Sequence, residues 1–292
     1  MSLADKTYIN MCKEIIENGT STEGQEVRPT WPDTGEKAHT IKAFGICNKY
    51  DLRKEFPIIT LRPINIYAAY DEILWIYQKK SNKISDLNSH IWDAWSDENG
   101  TIGKAYGYQI GQLYPHHMEK FDDGQEFQCY KDQMDGVLYD LKHNPFSRRI
   151  MTNMYNFDDL NKMQLYPCAY STTWNVTDEG YDKLVLNMVL NQRSQDVLTA
   201  GSWNVVQYAL LLMMVAQVVD MVPGQLVHMI ADAHIYDRHI PIIKELITRE
   251  TYDAPIVSLN TDIRDFYEFD KSSLYVDNYI SGAQVKNIPV AV

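Results

Sequence analysis

The sequence predicts an α+β fold, and three observations carry that prediction. Long strand-like segments fill the middle of the chain, at 147–156, 168–177 and 183–196. Helix-like segments surround them irregularly and do not follow each strand in turn, which argues against a strictly alternating doubly wound sheet. Neither G-x-G-x-x-G nor G-x-x-x-x-G-K occurs, so the phosphate loops of nucleotide-binding α/β folds are absent. The 292 residues suffice for one sizeable core. No repeat, low-complexity tract or linker divides them, and 1–292 reads as a single domain.

The elements follow in order. Residues 4–18 carry Ile9, Cys12, Ile15 and Ile16 at helical spacing, and Asn18-Gly19 stops the helix. Residues 21–39, rich in Gly, Pro, Thr and Glu, read as a long loop. Residues 40–52 have the bulk and alternation of a strand. "INIYAAYDEILWIYQ" (64–78) follows Pro63 and is apolar nearly all round, which predicts a buried helix with Glu72 in its middle. A helix is predicted over 125–143, stopped by Asn144-Pro145. Asp178-Glu179-Gly180 is a turn signal that joins 168–177 and 183–196 as a hairpin. A helix over 203–221 contains the most apolar run, "YALLLMMVAQVV" (208–219), which is too short to span a bilayer and reads as core. A strand over 225–236, a helix over 239–250 and a strand over 255–259 complete the series.

Composition narrows the function. A net charge of −12 disfavours nucleic acid as a partner, although clustered arginines could still hold a small anion. The four cysteines form no C-x-x-C pair, no zinc-ribbon spacing and no dense disulfide framework. No signal peptide is recognisable at the N-terminus, so a reducing cytoplasm is expected.

Several residues could carry chemistry. Cys168 follows Pro167 and enters a β-branched, aromatic run; such a thiol is more often a small hydrophobe than a nucleophile unless a neighbour stabilises thiolate. Arg28, Arg193 and the pair Arg148 and Arg149 are the charges available to do so. Arginine also binds phosphate bidentately, although a single arginine is more often simply solvated. Arg148 and Arg149 cannot both turn inward on a simple strand and fit a strand end or a subunit boundary. Glu72 in an apolar helix is costly unless paired or functional, and burial would suit it to proton transfer. Trp92, Trp95 and Tyr106 could stack on a flat heterocycle or pack a core. Asn204 near a helix start could cap it, or could read a base edge. His234 and Tyr236, two apart on a strand, share a face. The H-x-Y-x-x-H spacing is no known zinc pattern, so no metal is expected there.

In order along the chain, "FPIITLR", "DEILWIYQ", "IWDAWSDENGTIGKAYG", "SRRI", "LYPC", "QRSQD", "WNVVQYALL", "DAHIYDRH" and "PVAV" together resemble the folate-dependent thymidylate synthases. Each segment alone is weak, whereas the ordered set is very specific. The resemblance implies a three-layer arrangement in which helices flank a large twisted mixed sheet, with sheets packing across a homodimer. It implies a cytoplasmic methyltransferase of dTMP biosynthesis, which methylates dUMP with 5,10-methylenetetrahydrofolate as co-substrate and releases dihydrofolate. It makes Cys168 the nucleophile on uracil C6. It makes Gln192, Arg193, Ser194, Asp196 and Arg28 dUMP ligands, joined by Arg148 and Arg149 from the partner subunit. Asn204 would read the uracil edge, His234 and Tyr236 would hold the ribose, and Glu72 would organise proton transfer. Tyr106 would be an active-site tyrosine. Trp92, Asp196, Asn65 and Ala291 would face the folate. The reaction so read needs no metal, no nucleic acid and no membrane.

The chain departs from many family members at four places. Ala169 stands where a histidine often follows the nucleophile, and Asn65 also replaces a common histidine. Ala200, Gly201, Ser202 and Trp203 replace a glycine-proline-phenylalanine region, and the 21–39 loop is long. The principal alternative is a dUMP or dCMP hydroxymethylase on the same scaffold, in which water captures the methylene. Asn204 speaks against cytosine, and Trp92 with the full tail speaks for hydride transfer. A non-catalytic nucleotide- or RNA-binding protein is a second alternative, disfavoured by the negative charge and by the retained Cys168, Glu72 and Asn204.

Overall fold

The fold was obtained as a computed structural model, which describes residues 1–180 and 182–292. Ser2 opens it by accepting from the Asp5 amide, which caps helix α1 (Leu3–Asn18). Strand β1 (Thr20–Ser21) borders β2 (Thr40–Asp51). The Asn65 carboxamide accepts from Ala68 N and starts α2 (Ile66–Tyr77), which is buried nearly all round, as its apolar sequence requires. Then come a single-turn helix α3 (Gly107–Ile110), strands β3 (Tyr114–Lys120) and β4 (Glu126–Lys131), helix α4 (Gln133–His143) and strand β5 (Met151–Asn153). Strands β6 (Ala169–Thr177), β7 (Val185–Gln192) and β8 (Gln195–Asp196) lead into α5 (Ser202–Val218) and β9 (Val222–Tyr236). Helix α6 (Ile240–Leu246) and the pair β10 (Ile256–Leu259) and β11 (Leu274–Asp277) close the chain.

The main sheet has the order β1-β2-β9-β7-β6-β5, with β8 lying along the end of β9. It is mixed: β9 runs parallel to β7 and β8, and the other neighbours are antiparallel. β6 and β7 form the expected hairpin. β3–β4 and β10–β11 are separate two-stranded sheets. The core lies between one face of the main sheet and helices α1, α2 and α5.

The opposite face of the sheet carries apolar side chains that no described residue covers. Registers align Met151, Thr173, Val189, Val227 and Lys49 in one row, and Met229 with Cys47 in the next. Met151 is 49% exposed and Met229 38%. At the edge of the same region Phe44 is 92% exposed.

Four expectations need correction. The helix expected over 125–143 begins only at α4, after Asp132, whose carboxylate accepts from Asp135 N. Residues 126–131 form β4 instead, because Phe127, Cys129 and Lys131 alternate with more exposed neighbours in a period of two. The strand expected over 147–156 shrinks to Met151–Asn153, so Arg148 and Arg149 lie in the turn before it. The apolar helix is longer than expected. A π-type turn at Val197–Gly201 extends it to 22 residues, Val197–Val218, long and apolar enough to cross a membrane by length and composition alone. Most of it is buried against the sheet and α2, where a core helix of this composition belongs. The helix expected over 239–250 is also shorter, at Ile240–Leu246.

Candidate active site

Cys168 sits at the mouth of β6, and two groups fix its backbone. Its N–H donates to the Tyr106 hydroxyl at 3.2 Å, and its carbonyl accepts from Arg193 N at 2.9 Å. The Arg193 guanidinium folds over the same turn. Nε donates to Pro167 O at 3.0 Å and Nη2 to Tyr166 O at 2.9 Å, and Nη2 also lies 3.7 Å from Cys168 Sγ. Nη1 has no partner among the described residues, so one face of the fork stays available to an anion. Burial pushes the Cys168 thiol up, whereas Arg193 and then Arg28 pull it down. The net direction is upward, although Arg193 acts on the thiol in the expected sense. Arg28 lies in an exposed loop, and no described residue ion-pairs with it. Its charge nonetheless acts on both Cys168 and Tyr236.

An amide relay orients Asn204, in the first turn of α5. Gln192 is buried, and its Nε2 donates to the Ser194 carbonyl at 3.0 Å and to Asn204 Oδ1 at 3.2 Å. A backbone carbonyl can only accept, so the amino end of Gln192 must face it and the oxygen of Asn204 must face Gln192. On the other side His228 Nε2 lies 2.8 Å from Gln192 Oε1. Burial lowers His228 to about 3, so the ring is neutral, and its single N–H on Nε2 is the donor. Asn204 Nδ2 in turn donates to Gln207 Oε1 at 3.0 Å. One lone pair on Oδ1 and one N–H on Nδ2 remain, the complement of an N3–H beside an O4. A cytosine presents the opposite pair.

Glu72 is fully enclosed, and both of its oxygens accept from indoles: Oε1 from Trp92 Nε1 at 2.8 Å and Oε2 from Trp203 Nε1 at 2.6 Å. No cation pairs with it among the described residues. Burial raises its carboxyl from 4.5 to about 7, against the pull of Trp203 and Trp92. The Trp92 ring meets Tyr106 edge-on, with centroids 5.0 Å apart. Tyr106 therefore stands between Cys168 and the Glu72–Trp92 pair. Its backbone is strained, with φ +46° in a region non-glycine residues rarely adopt, a strain that concentrates at functional sites.

His234 Nδ1 lies 2.8 Å from Asp232 Oδ1, which leaves Nε2 as the free end of the ring. Tyr236, two residues on, packs edge-on to His234, Trp31 and His239. Asp196 Oδ1 accepts from Leu198 N at 3.0 Å and Thr199 N at 3.3 Å, and starts the π-type turn. Burial opposes its charge, but His239, 3.5 Å away, and these N–H groups hold it below its ordinary value. His239 Nε2 also donates to the Pro289 carbonyl at 2.7 Å. The tail that carries Ala291 ends on the loop of Arg28: Thr30 N donates to Val292 O at 2.7 Å, and Val292 N to Thr30 O at 3.0 Å. Ser194 Oγ has no partner among the described residues. Arg148 and Arg149 are exposed and reach none of these groups within one chain. Asn65 is engaged as the cap of α2.

Sequence reasoning missed Trp203, His228 and His239 as working residues. Trp203 had a signal: it adjoins Asn204 and replaces a residue type without a donor. His228 and His239 had none, because their roles depend on what packs against them.

Comparisons with known proteins identify the family. The family model described as thymidylate synthase matches residues 6–292. Thymidylate synthase 1 of Bacillus subtilis strain 168 is 39% identical over 285 residues, which cover 97% of each chain. The thymidylate synthases of Bacillus licheniformis and of Bacillus phage phi3T are 40% and 38% identical, each over 97% of both chains. Among solved structures, the thermostable thymidylate synthase A from Bacillus subtilis superposes with a TM-score of 0.87 at 37% identity, covering 99% of each chain.

Proposed function

Because the chain belongs to the thymidylate synthase family and methylates dUMP to dTMP, we propose that Cys168 adds to C6 of the uracil ring. The observation that carries this reading is the Arg193 fork beside the Cys168 thiol, with Gln192, the residue before Arg193, holding the Asn204 amide. Arg193 Nη1, Ser194, Arg28 and a partner's Arg148 and Arg149 take the phosphate. Bound there, phosphate shares Arg193 with the sulfur. His234 and Tyr236 hold the ribose.

As the S–C6 bond forms, the C5=C6 electron pair moves toward O4, where the free Asn204 N–H receives the developing charge. C5 then bonds the one-carbon unit and later gives up its proton. Release of the thiolate restores the ring double bond. The co-substrate is 5,10-methylenetetrahydrofolate, which supplies the carbon and the hydride and leaves as dihydrofolate. Trp92, Asp196 and Ala291 line its side of the site, and Asn65 lies at its edge.

Glu72 handles protons with a carboxyl poised at about 7. Ala169 offers no histidine beside the nucleophile, and Trp203 fixes the second oxygen of Glu72 instead. The reported relatives are thymidylate synthases, and hydroxymethylation is not favoured.

The test is a dUMP assay with methylenetetrahydrofolate, followed by dihydrofolate absorbance. The wild-type chain should form dihydrofolate and be trapped covalently by 5-fluoro-dUMP. Cys168→Ser should bind dUMP without turnover or trapping. Undiminished turnover in Cys168→Ser would remove the cysteine from its role.

A further inference from the structure

The β3–β4 hairpin, on its own two-stranded sheet away from the strands that carry the thiol, gathers a second set of reactive groups. His117 on β3 lies directly opposite Cys129 on β4, and Glu119 follows two residues on, so one face of the hairpin presents all three. The donor atoms of His117, Glu119 and Cys129 all lie within 4.8 Å of one another. His117 Nε2 is 2.7 Å from Glu119 Oε1.

A chain of contacts behind His117 decides which of its nitrogens carries the proton. His116 Nε2 lies 3.3 Å from Asp140 Oδ1 on α4, and His116 Nδ1 lies 2.9 Å from His117 Nδ1. With the His116 proton on Nε2, facing Asp140, His116 Nδ1 accepts and His117 Nδ1 donates. His117 Nε2 then directs a lone pair at the Glu119 carboxylate. Two acceptors at that separation repel unless a proton or a cation lies between them. The ring cannot swing away easily, because Tyr139 stacks on it with centroids 4.2 Å apart.

We propose that His117, Glu119 and Cys129 bind a divalent transition-metal ion of the zinc class. An imidazole nitrogen, a carboxylate and a thiolate form a borderline-soft donor set, suited to Zn²⁺ and poorly suited to Mg²⁺ or Ca²⁺. As the sulfur–metal bond forms, the thiol proton passes to solvent. The carboxylate and thiolate then balance the two charges of the ion. Three protein ligands leave a fourth position to water on the exposed side. Asp140 and His116 form the outer shell that orients the imidazole. The ion ties β3 to β4 across the hairpin and takes no part in dUMP chemistry.

Cobalt is the spectroscopic probe. Full-length protein, reduced and free of added metal, is titrated with Co²⁺ and then with Zn²⁺. About one Co²⁺ per chain should bind with thiolate-to-metal absorption in the near ultraviolet, and Zn²⁺ should displace it. Cys129→Ala should abolish the absorption while dUMP turnover stays at the wild-type level, which also reports folding. Cys168→Ala should keep the absorption. Glu119→Gln, which preserves the thiol, and Asp140→Asn in the outer shell should each weaken Co²⁺ by about tenfold or more. Three results overturn the proposal: no stoichiometric binding, absorption that survives Cys129→Ala, or absorption lost in Cys168→Ala. If Cys129→Ala does not fold, unchanged affinity in Glu119→Gln overturns it equally.

Discussion

Glu72 stands between opposed influences, since burial favours its neutral form and the indoles of Trp203 and Trp92 favour the anion. Trp203→Phe removes one donor and keeps the bulk. A hydrogen bond to a charged group is worth roughly 1.5–3 kcal/mol, so the carboxyl should rise by about one pH unit or more. The measurement is the pH profile of kcat: its inflection near 7 should move upward in the variant, and an unmoved inflection would detach Glu72 from proton transfer. Stability follows the same sign. The folded carboxyl titrates near 7 and the unfolded one near 4.5, so the folded chain holds a proton across that window that the unfolded chain has released. The stabilisation is therefore complete below 4.5 and is lost as pH rises through 7. In Trp203→Phe the loss should extend to higher pH, read from thermal midpoints across the range. Asn204→Asp tests the neighbouring group. A carboxyl there replaces the free N–H with an acceptor or a mobile proton, and preference should shift from dUMP toward dCMP by tenfold or more, the scale of about 1.4 kcal/mol. Unchanged discrimination would dismiss the base-edge role. At this scale Cys168, Glu72 and Asn204 were legible through their place in ordered motifs. The state of the thiol was not, because burial and two arginines act on it together in space.

At the scale of elements, the sequence was legible where one period dominates. The all-round apolar α2 and the alternating β6, β7 and β9 form as expected, and α5 forms with an added π-type turn at its start, because each must bury the face its pattern makes apolar. Residues 125–143 misled because a six-residue alternation and a helical run adjoin at Asp132 with no glycine or proline between them. The C-terminal tail had no periodicity to read, yet it is held at two points. His239 holds Pro289, and Thr30 pairs with Val292. His239 also faces Asp196, so the tail, the loop of Arg28 and the π-type turn before α5 are joined. Deleting Val292 removes both backbone hydrogen bonds to Thr30, worth about 1–3 kcal/mol together, and the longer one from the Thr30 hydroxyl. Covalent trapping of 5-fluoro-dUMP in the presence of folate should slow by about tenfold or more. The dUMP dissociation constant, measured by titration, should rise by less. A truncated chain that traps at the wild-type rate would show that the tail does not help close the site.

At the scale of the whole molecule, a chain of net charge −12 must bind a doubly charged phosphate. The field of the protein opposes this, so locally clustered arginines have to overcome it. Among the described residues of one chain, Arg193 and Arg28 are the arginines that act on Cys168. Arg148 and Arg149 stand exposed in the turn before β5, at the margin of the sheet face that Met151, Val189 and Met229 leave uncovered. A second copy laid on that face would bury the apolar rows in an isologous contact and carry each chain's arginine pair toward the other's site. The two gaps, an uncovered sheet face and an incomplete phosphate site, then have one cause. Mixing variants tests it. Arg148→Ala and Cys168→Ser homodimers should each be nearly inactive, the first for want of a phosphate ligand and the second for want of a nucleophile. After the two are unfolded together and refolded, half the dimers are mixed. Each mixed dimer holds one site with an intact cysteine and an intact arginine. Activity should therefore return to about one quarter of the wild-type level, because one site in four is complete under random pairing of a twofold dimer. It should follow the mixing ratio, with a maximum at equal amounts. Activity that stays at the level of the two parents across all ratios would mean that each chain supplies its own arginine, and the exposed pair would then need another partner.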